Sequence, residues 1–489
     1  MHERGSLPTG GQESDDSKRA DDPEPLWDKA AYAACLAASM VIVLVAGGVL
    51  AVAGVFPGPQ IARAYEGGKA LYGKLTAYDD VFASDLWHPA RRPDGSVTAH
   101  DPTQAQDGVT LYTSGHEAAA YLIDMDGEVL HEWRRPYSTV WNESAAVRRP
   151  QPDTHVYFRK AMVYPNGDLL VVYEGVGDTP YGYGLVKLDR NSAVLWSYLA
   201  HTHHDLDIGP DGRIYVLTHE FVDEPLEGFG RLASPRLDDF LVILSPDGEE
   251  LSKISLIHAV AASEYRHLLY GVAAYALADP LHTNTVDLIT EEAGANFAFG
   301  KAGQILLSFR ELGAIGVLDP QTARLRWATR GSWLGQHDPD ILPNGNILLF
   351  DNYGYFEKPV GRSRVIEFDP QTMEIVWQYA GTVDGPFESL IRASQQRLAN
   401  GNTLVTESSG GRILEVTPAG EVVWEFVNPV RGGQESDRLP IICWAQRFDP
   451  NDFDTALWSG KHPETLATRV RPESEATAWL SPATSPPTR

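Results

Sequence analysis

The chain of 489 residues has a net charge of −26, and a field of this sign repels phosphate backbones, which argues against nucleic acid as a partner. With 43% apolar and 10% aromatic residues, its composition is that of a globular protein and excludes a chain that is disordered throughout. The two cysteines do not make a disulfide framework, and the 44 glycines and 33 prolines favour many short strands over long helices.

The first predicted element is a transmembrane helix over residues 30–56. The polar residues 1–29 before it are expected to form a disordered tail. No charged residue occurs from Ala30 to Ile61, and the apolar stretch from Leu36 to Phe56 has about the length that a bilayer core requires. A cleaved signal peptide is the alternative, which the long polar segment before the stretch disfavours. Residues 57–108 are predicted to connect the helix to the folded domain.

A strand-turn-strand phrase then recurs along the chain. The positions that close its six copies are Trp133, Trp196, Ile254, Trp327, Trp377 and Trp424. A second phrase, a turn followed by an apolar run, precedes most copies, as in LPNGNILLFDN from Leu342. Units of about 40 to 50 residues with four strands each are propeller blades. The sequence therefore predicts an all-β fold, a six-bladed β-propeller over residues 109–445, with the tryptophans packed between neighbouring blades.

Three further expectations concern the edges of this ring. The first copy has no turn phrase of its own, so we expect one blade to combine strands from both ends of the chain, which leaves no exposed edge. The insertion at 255–285 contains LIHAVAASEYRHLLYGVAAYALA, which predicts a helix over one face of the ring. Residues 446–489 are predicted to form a largely irregular extension.

Histidines recur just before three of the strands that carry the turn phrase, which we expect to be the innermost strands. They are His203 and His204, His282, and His337. Arg310 ends the apolar run QILLSFR where a leucine is expected. A lone histidine at such a place is usually structural, and we assign His219 and His258 to that class. Recurrence at one repeat position predicts a site, whereas Arg310 alone is equally well explained as an ion-pair partner of Glu311 or Asp319.

Two chemistries fit such a cluster. Three histidines can bind zinc or iron, but an adjacent arginine opposes a cation. Imidazole as nucleophile and acid, with a guanidinium that holds an oxyanion, suits transfer of a sulfuryl or phosphoryl group. The sequence contains no GxxxxGK[ST] phosphate cradle. We therefore expect neither a metal nor another cofactor.

The order of three motifs gives a resemblance to a known family. HTHHDLDIGPDG, DPLHTNTVDLI with ILLSFR, and GQHDPDILPNGNILLFDN resemble the bacterial arylsulfotransferases, six-bladed propellers that move a sulfuryl group between phenols through a sulfated histidine. The resemblance spans about residues 105–445. It implies that His337 is the nucleophile, and that His203 or His204, His282 and Arg310 bind sulfuryl oxygens and assist the leaving phenolate.

The resemblance also suggests roles for residues beside these. Asn284 is expected to orient His282, and the ring of His337 is expected to be oriented by Asp338, a backbone carbonyl or a neighbouring blade. Tyr353 and Tyr355, with Phe356, are candidates for the aromatic walls that hold the phenols, although blade packing explains them equally well.

The chain also departs from the family's secreted members. Residues 57–108 are too few for their N-terminal β-sandwich, and Cys443 has no partner for their disulfide. The resemblance implies aryl sulfate and phenol as substrates and a propeller on the periplasmic or extracellular side, while the apolar segment predicts that a single-pass helix tethers it to the membrane. Two other functions stay open: a tethered propeller that binds a ligand or protein without catalysis, and a metal-dependent propeller hydrolase or lyase.

Overall fold

The computed structural model describes residues 26–52, 80–92, 95–355, 362–383 and 385–454, and the chain divides into two units, Met1–Gly73 and Lys74–Arg489. The described part of the first unit is helix α1, Leu26–Val52. Within α1, the 21 residues Ala30–Leu50 have a mean hydropathy of 2.5. This stretch is long and apolar enough to cross a membrane, as a signal sequence can also be. The predicted tail before residue 26 and residues 53–79 lie outside the described residues.

The second unit is a six-bladed β-propeller, as the repeats predict. Each blade is an antiparallel sheet with four main strands. The innermost strands are β6 (Val156–Val163), β10 (Thr202–Ile208), β14 (Thr283–Leu288), β18 (His337–Ile341), β22 (Ser394–Arg397) and β27 (Ile442–Phe448). The second strands are β7 (Leu169–Gly175), β11 (Ile214–Val222), β15 (Ile305–Phe309), β19 (Ile347–Asp351), β23 (Thr403–Glu407) and β3 (Val109–Ser114).

The outer half of each blade completes the sheets. The third strands are β8 (Gly182–Leu188), β12 (Arg236–Leu244), β16 (Ala314–Asp319), β20 (Arg364–Phe368), β24 (Arg412–Val416) and β4 (Ala119–Ile123). The outermost strands are β9 (Val194–Tyr198), β13 (Glu250–Ser255), β17 (Arg324–Arg330), β21 (Ile375–Tyr379), β25 (Val422–Val427) and β5 (Val129–Arg134). Exposed residues are frequent in these outermost strands, whereas the second and third strands are almost fully buried and form the core.

In the five blades that carry a turn phrase, the innermost strand precedes it, so our assignment of the phrase-bearing strand as innermost was wrong by one strand. β10 ends at Ile208, before the turn at Gly209, and the phrase-bearing run forms β11. The histidines therefore lie on, or directly before, the innermost strands. A stretch such as THHDLDI does not have the apolar pattern of a strand because it carries polar groups at the ring axis.

Both ends of the chain close the ring, which confirms the expectation from the incomplete first copy. β27, from the C-terminal side, is the innermost strand of the sheet β27-β3-β4-β5. β2 (Ser96–His100) adds a fifth strand outside β25, and β1 (Trp87–Pro89) pairs with β26 (Arg438–Pro440). β27 runs to Phe448, past residue 445 where the propeller was predicted to end. Residues 455–489 lie outside the described residues.

The tryptophans pack between blades, as predicted. The indole N–H of Trp133 donates to the carbonyl of Gly167 at 3.0 Å, and that of Trp424 to the carbonyl of Met125 at 2.8 Å. Each acceptor belongs to a turn of the next blade. Gly248 lies against the ring of Trp196. A Cβ added to Gly248 would fall 2.6 Å from an atom of that ring, so the packing of Trp196 requires a glycine at this position.

The insertion at 255–285 is not the single helix that its composition predicts. It forms a short helix α2 (Leu256–Ala261) and two 3-10 turns, Arg266–Gly271 and Ala274–Ala276. The hydroxyl of Ser263 donates to the carbonyl of Val260 and accepts the backbone N–H of Tyr265, and these local bonds end the helix. Elsewhere in the described residues of the second unit, the helices are α3 (Glu291–Asn296) and 3-10 turns at Val81–Ala83, Tyr137–Thr139, Asp153–His155, Arg310–Leu312, Ser408–Gly410 and Pro450–Asp452.

Candidate functional site

The candidate site lies where the pairing of the innermost strands with their neighbours is irregular, at one level of the ring. The shifts in register lie between Phe158 and Lys160, His203 and Leu206, Thr283 and Thr285, His337 and Asp340, and Ile442 and Trp444. A bulge leaves residues unpaired and re-aims their side chains. His204, His282 and Asp338 have φ of +54°, +45° and +53°, a conformation that non-glycine residues adopt rarely.

His337 begins β18 and is only 2% exposed. Its Nδ1 lies 3.0 Å from the carbonyl oxygen of Gly335 and 2.8 Å from Oδ1 of Asn352. The amide nitrogen of Asn352 donates to the carbonyls of Ser389 and Arg392 at 2.7 and 2.8 Å, which fixes Oδ1 toward His337. Both neighbours of Nδ1 are acceptors, so Nδ1 carries the proton and Nε2 holds the lone pair. No described residue forms a hydrogen bond with Nε2.

The surroundings of His337 keep its ring neutral. Burial holds the pKa of His337 well below 6.5, and the positive charges of Arg310 and Arg159 lower it further. A neutral imidazole with a free Nε2 is a nucleophile at physiological pH.

The surroundings of His282 act on its pKa in the opposite direction. It lies directly before β14, with Nδ1 2.6 Å from Oδ2 of Asp279. Burial alone would lower the pKa of His282, but the Asp279 carboxylate overcomes this and raises the pKa above 6.5. Nδ1–H donates to Asp279, so the protonated ring has Nε2–H as its second donor and can act as an acid.

Of the two adjacent histidines, His204 is the one at the site. Its ring centroid lies 5.1 Å from that of His282. His203 is fully buried behind it, with Nδ1 2.8 Å from Nδ1 of His204. Burial and the charge of His282 lower the pKa of His203 to about 3 and that of His204 well below 6.5, so both rings are neutral.

Arg310 forms an ion pair and also acts electrostatically on the histidine cluster, the two possibilities that the sequence left open. Its guanidinium forms an ion pair with Glu311, while Asp319 pairs with Arg326 instead. Its positive charge nevertheless contributes to lowering the pKa of both His337 and His282, although Asp279 raises that of His282 overall. Arg310 therefore belongs to the same electrostatic environment. Its Nε is buried and has no partner among the described residues.

Sequence reasoning missed a second guanidinium, that of Arg159 on β6. Arg159 is 4% exposed and donates to the carbonyl of Cys443 at 3.0 Å. Its Nε lies 3.9 Å from Glu174, whose carboxylate accepts the backbone N–H of His204 at 2.7 Å. Its charge lowers the pKa of His204 and His337. The only signal in the sequence was a charged pair inside the run VYFRKAMV.

Three other missed residues also touch the histidines. Asn352 ends an apolar run at a repeat position close to that of Arg310, and this position could have identified it as a site residue from the sequence. Asp279 has no signal beyond its place three residues before His282. Tyr181 follows β7 in a loop, with its ring centroid 5.4 Å from that of His204 and 5.8 Å from that of His282. Its hydroxyl lies 3.4 Å from Nδ1 of His204.

Two predicted orienting residues act on other groups. Asn284 does not contact His282; its amide donates to the carbonyl of Gln336 at 2.8 Å and so holds the segment before His337. Of the three alternatives for orienting the ring of His337, Asp338 does not do so, since its Oδ2 accepts the backbone N–H of Gln395 at 3.0 Å, whereas a backbone carbonyl, that of Gly335, lies 3.0 Å from Nδ1. Both corrections have the same cause: the bulges turn these side chains toward neighbouring blades.

The predicted aromatic walls lie farther along the same loop. Tyr353 donates its backbone N–H to the carbonyl of Leu334 at 2.9 Å, and the guanidinium of Arg364 lies 5.6 Å from the ring centroid of Tyr355. Both tyrosines are half-buried. Their binding of phenols stays a prediction, and Phe356 lies outside the described residues.

One cluster has residue types that could bind a metal ion. His203, His219 and Asp239 each place one candidate ligand atom within 4.8 Å of the others. The two rings are stacked, with centroids 4.2 Å apart and planes at 19°, so their lone pairs run side by side rather than converge on one ion. Nε2 of His219 already accepts the N–H of Gly182 at 3.2 Å, which leaves the proton on Nδ1. The cluster does not fit a metal centre.

Comparisons with known proteins concern both sequence and fold. The sequence model of the arylsulfotransferase (ASST) family matches residues 160–429. No curated protein matches the chain.

Among solved structures, a protein of unknown function from Bacteroides caccae is 14% identical, with a TM-score of 0.42 over 69% of this chain and 99% of that one. A streptogramin B lyase is 12% identical, with a TM-score of 0.37 over 74% of this chain and 97% of that one. Virginiamycin B lyase from Staphylococcus aureus is 11% identical, with a TM-score of 0.32 over 55% of this chain and 69% of that one.

Proposed function

The chain belongs to the arylsulfotransferase family, and on this premise we propose that it transfers a sulfuryl group from an aryl sulfate to a phenol through a sulfohistidine at His337, without a nucleotide cofactor. The observation that carries the proposal is the fixed tautomer of His337. Its Nδ1 proton is held by Asn352 and Gly335, and its Nε2 has no hydrogen-bond partner in the described chain.

In the first half-reaction, Nε2 of His337 attacks the sulfur of the aryl sulfate. The Nε2–S bond forms as the S–O bond to the leaving phenolate breaks. The imidazolium of His282 gives its Nε2 proton to the phenolate oxygen, so phenol departs and His282 becomes neutral. The sulfated ring of His337 keeps its Nδ1 proton, and Oδ1 of Asn352 stabilises the positive charge that the ring gains.

In the second half-reaction, the oxygen of an acceptor phenol attacks the same sulfur. The Nε2–S bond breaks, the electron pair returns to His337, and the phenol proton passes to a neighbouring imidazole. Sulfuryl transfer concentrates negative charge on the peripheral oxygens, so positioned cations lower its barrier. We assign this role to Arg310, and we assign the binding of the aromatic rings to Tyr353 and Tyr355.

We also propose where the reaction takes place. An apolar helix α1 that spans the membrane would hold the propeller at its surface. The family resemblance favours the periplasmic or extracellular side.

The test uses the full chain purified in detergent and exposed briefly to para-nitrophenyl sulfate. We expect a burst of para-nitrophenol, and a mass increase of one SO3 on the peptide that contains His337. His337→Ala should abolish both, whereas His258→Ala, an exposed histidine of α2, should change neither. A burst of wild-type size in folded His337→Ala would remove the proposal.

A further inference from the structure

A chain of buried polar groups leads away from the site behind His204. Nδ1 of His204 lies 2.8 Å from Nδ1 of His203, and Nε2 of His203 lies 3.6 Å from Oδ1 of Asp239. His203 is fully buried and Asp239 is 1% exposed. Three atoms at the far end, Nε2 of His203, Nδ1 of His219 and Oδ1 of Asp239, are buried with no hydrogen-bond partner in the described part of the chain. Orphaned buried groups of this kind require an explanation.

The hydrogen positions follow from the neighbours. Nε2 of His219 accepts the N–H of Gly182, so Nδ1 of His219 carries a proton. Oδ2 of Asp239 accepts the backbone N–H of Thr283 at 2.6 Å, and Oδ1 is left as the acceptor beside the two stacked rings. An ionised Asp239 is therefore satisfied when both rings direct an N–H toward Oδ1, and a small rotation closes the 3.6 Å gap to His203.

This arrangement fixes the tautomer of the next ring. If Nε2 of His203 carries its proton, Nδ1 of His203 holds a lone pair and must accept from His204. Nδ1 of His204 is then the donor, and Nε2 of His204 is left with a lone pair. No described residue bonds to that Nε2, and the ring of His204 stands beside that of His282.

We propose that Asp239, acting through His203, makes His204 the base that takes the proton of the acceptor phenol. The inference rests on the proposed function and divides its proton transfers between two rings. His282 protonates the leaving phenolate, and Nε2 of His204 later receives the proton of the incoming phenol as its oxygen bonds to sulfur. The proton then passes to His282, 5.1 Å away between ring centroids, which restores both rings for the next cycle. His204 is the catalytic residue, and His203 and Asp239 are positioning residues.

The charge of Asp239 has a second consequence. A buried imidazolium at His204 is costly, and the carboxylate at the end of the chain offsets that cost. Burial, together with the charge of Asp279, raises the pKa of Asp239 to about 7. The titratable groups around Asp239 are Asp279, His282, His203, His219 and Tyr181. Below this pH a protonated Asp239 would donate to Nε2 of His203, which reverses the chain and places a proton on Nε2 of His204.

The experiment separates the two half-reactions in the full-length protein in detergent. With para-nitrophenyl sulfate alone, Asp239→Asn should change the burst little, because the donor step uses His337 and His282, and Asp279 contributes more than Asp239 to the raised pKa of His282. Acceptor phenols added to the sulfated enzyme should then lose rate in the variant to an extent that depends on their acidity. We expect a loss of about a hundredfold for a phenol of pKa about 10, and little loss for a phenol already ionised at the assay pH, because a phenolate needs no base.

Matched variants exclude a general effect of charge or folding. Asp211→Asn removes the same charge from the exposed turn of the same blade and should change neither step. His203→Gln should reproduce the acidity-dependent loss, and the double variant should lose no more than the single ones, since the chain acts as a unit. Equal loss for both acceptor classes, or loss in the burst, would overturn the inference.

The wild-type protein supplies a test that does not depend on any variant folding. Its acceptor step with a weakly acidic phenol should accelerate as the pH rises through about 7, where Asp239 ionises, and the donor burst should lack this limb. A flat acceptor profile would overturn the role of Asp239. A wild-type protein without any burst would instead refute the proposed function, so the two failures are distinguishable.

Discussion

The amide oxygen of Asn352 accepts the Nδ1 proton of His337 at 2.8 Å, and the amide cannot turn over without losing its bonds to the carbonyls of Ser389 and Arg392. This contact joins the end of β19 to the start of β18 within one blade. It therefore aims the proposed nucleophile through a residue that has no part in the bond changes itself.

Asn352→Ala is expected to slow the burst while leaving the protein folded. The ring of His337 would keep only the carbonyl of Gly335 at 3.0 Å as a partner, and the loss of one orienting bond corresponds to a burst rate lower by about tenfold. Two buried carbonyls would each lose one donor and keep a serine hydroxyl at 3.2 Å, which lowers the free energy of unfolding by about 1–2 kcal/mol.

Stopped-flow release of para-nitrophenol and thermal unfolding measure the two effects. Asn344→Ala, at an exposed position of the β18–β19 turn in the same blade, serves as the control and should leave the burst unchanged. A wild-type burst rate in Asn352→Ala would show that Gly335 alone fixes the ring.

The donor step should fall as the pH rises through the pKa of His282. This pKa lies above 6.5 because the Asp279 carboxylate overcomes the effect of burial, and the proton is needed on the ring to leave with the phenolate. In Asp279→Asn the burial and the nearby Arg310 remain while the carboxylate is lost, so the falling limb should move to lower pH. Burst rates measured across the pH range test this. If the burst rate of Asp279→Asn falls at the same pH as that of the wild type, the fall belongs to the titration of another group.

The fold was predictable because the signals repeat. Tryptophans at blade spacing and turn phrases before apolar runs gave the six blades and their closure by both chain ends. The innermost strands were misplaced because their channel-facing residues are polar and their pairing is broken by bulges, so neither alternation nor length marks them as strands. The predicted helix at 255–285 failed because the hydrogen bonds of Ser263 are invisible to apolar periodicity.

The site was predictable where it follows the repeat and not where it depends on packing between blades. His204, His282 and His337 recur at one position and do meet at one level of the ring. Arg159 reaches it from β6, a strand without a histidine, and is held by the carbonyl of Cys443, a residue 284 positions along the chain. No local pattern reports such a contact. Asn284 and Asp338 form hydrogen bonds with groups on neighbouring blades, so the role expected of Asn284 was wrong, and of the three alternatives for the ring of His337 the backbone carbonyl, that of Gly335, is the one observed.

Metal removal is expected to leave the transfer unchanged. The stacked rings of His203 and His219 do not direct two lone pairs at one ion, and Nδ1 of His219 carries a proton. Dialysis against a chelator, followed by assay of the burst and by metal analysis of the protein, tests this. Activity that is lost with the chelator and restored by zinc would favour the metal-dependent reading of the histidine cluster.

The blade contacts predict a stability difference between two tryptophans that make the same hydrogen bond. Trp133 and Trp377 each donate an indole N–H to a carbonyl of the next blade at 3.0 Å, but Trp133 is fully buried with Gly167, whereas the Trp377 bond to Pro418 is exposed to solvent. Replacement by phenylalanine leaves a buried carbonyl without a donor only in the first case. Trp133→Phe should therefore lower the free energy of unfolding by about 2–3 kcal/mol, and Trp377→Phe by about 1 kcal/mol or less. Chemical unfolding of the two variants side by side measures the difference, and equal losses would show that ring packing, rather than the indole hydrogen bond, joins these blades.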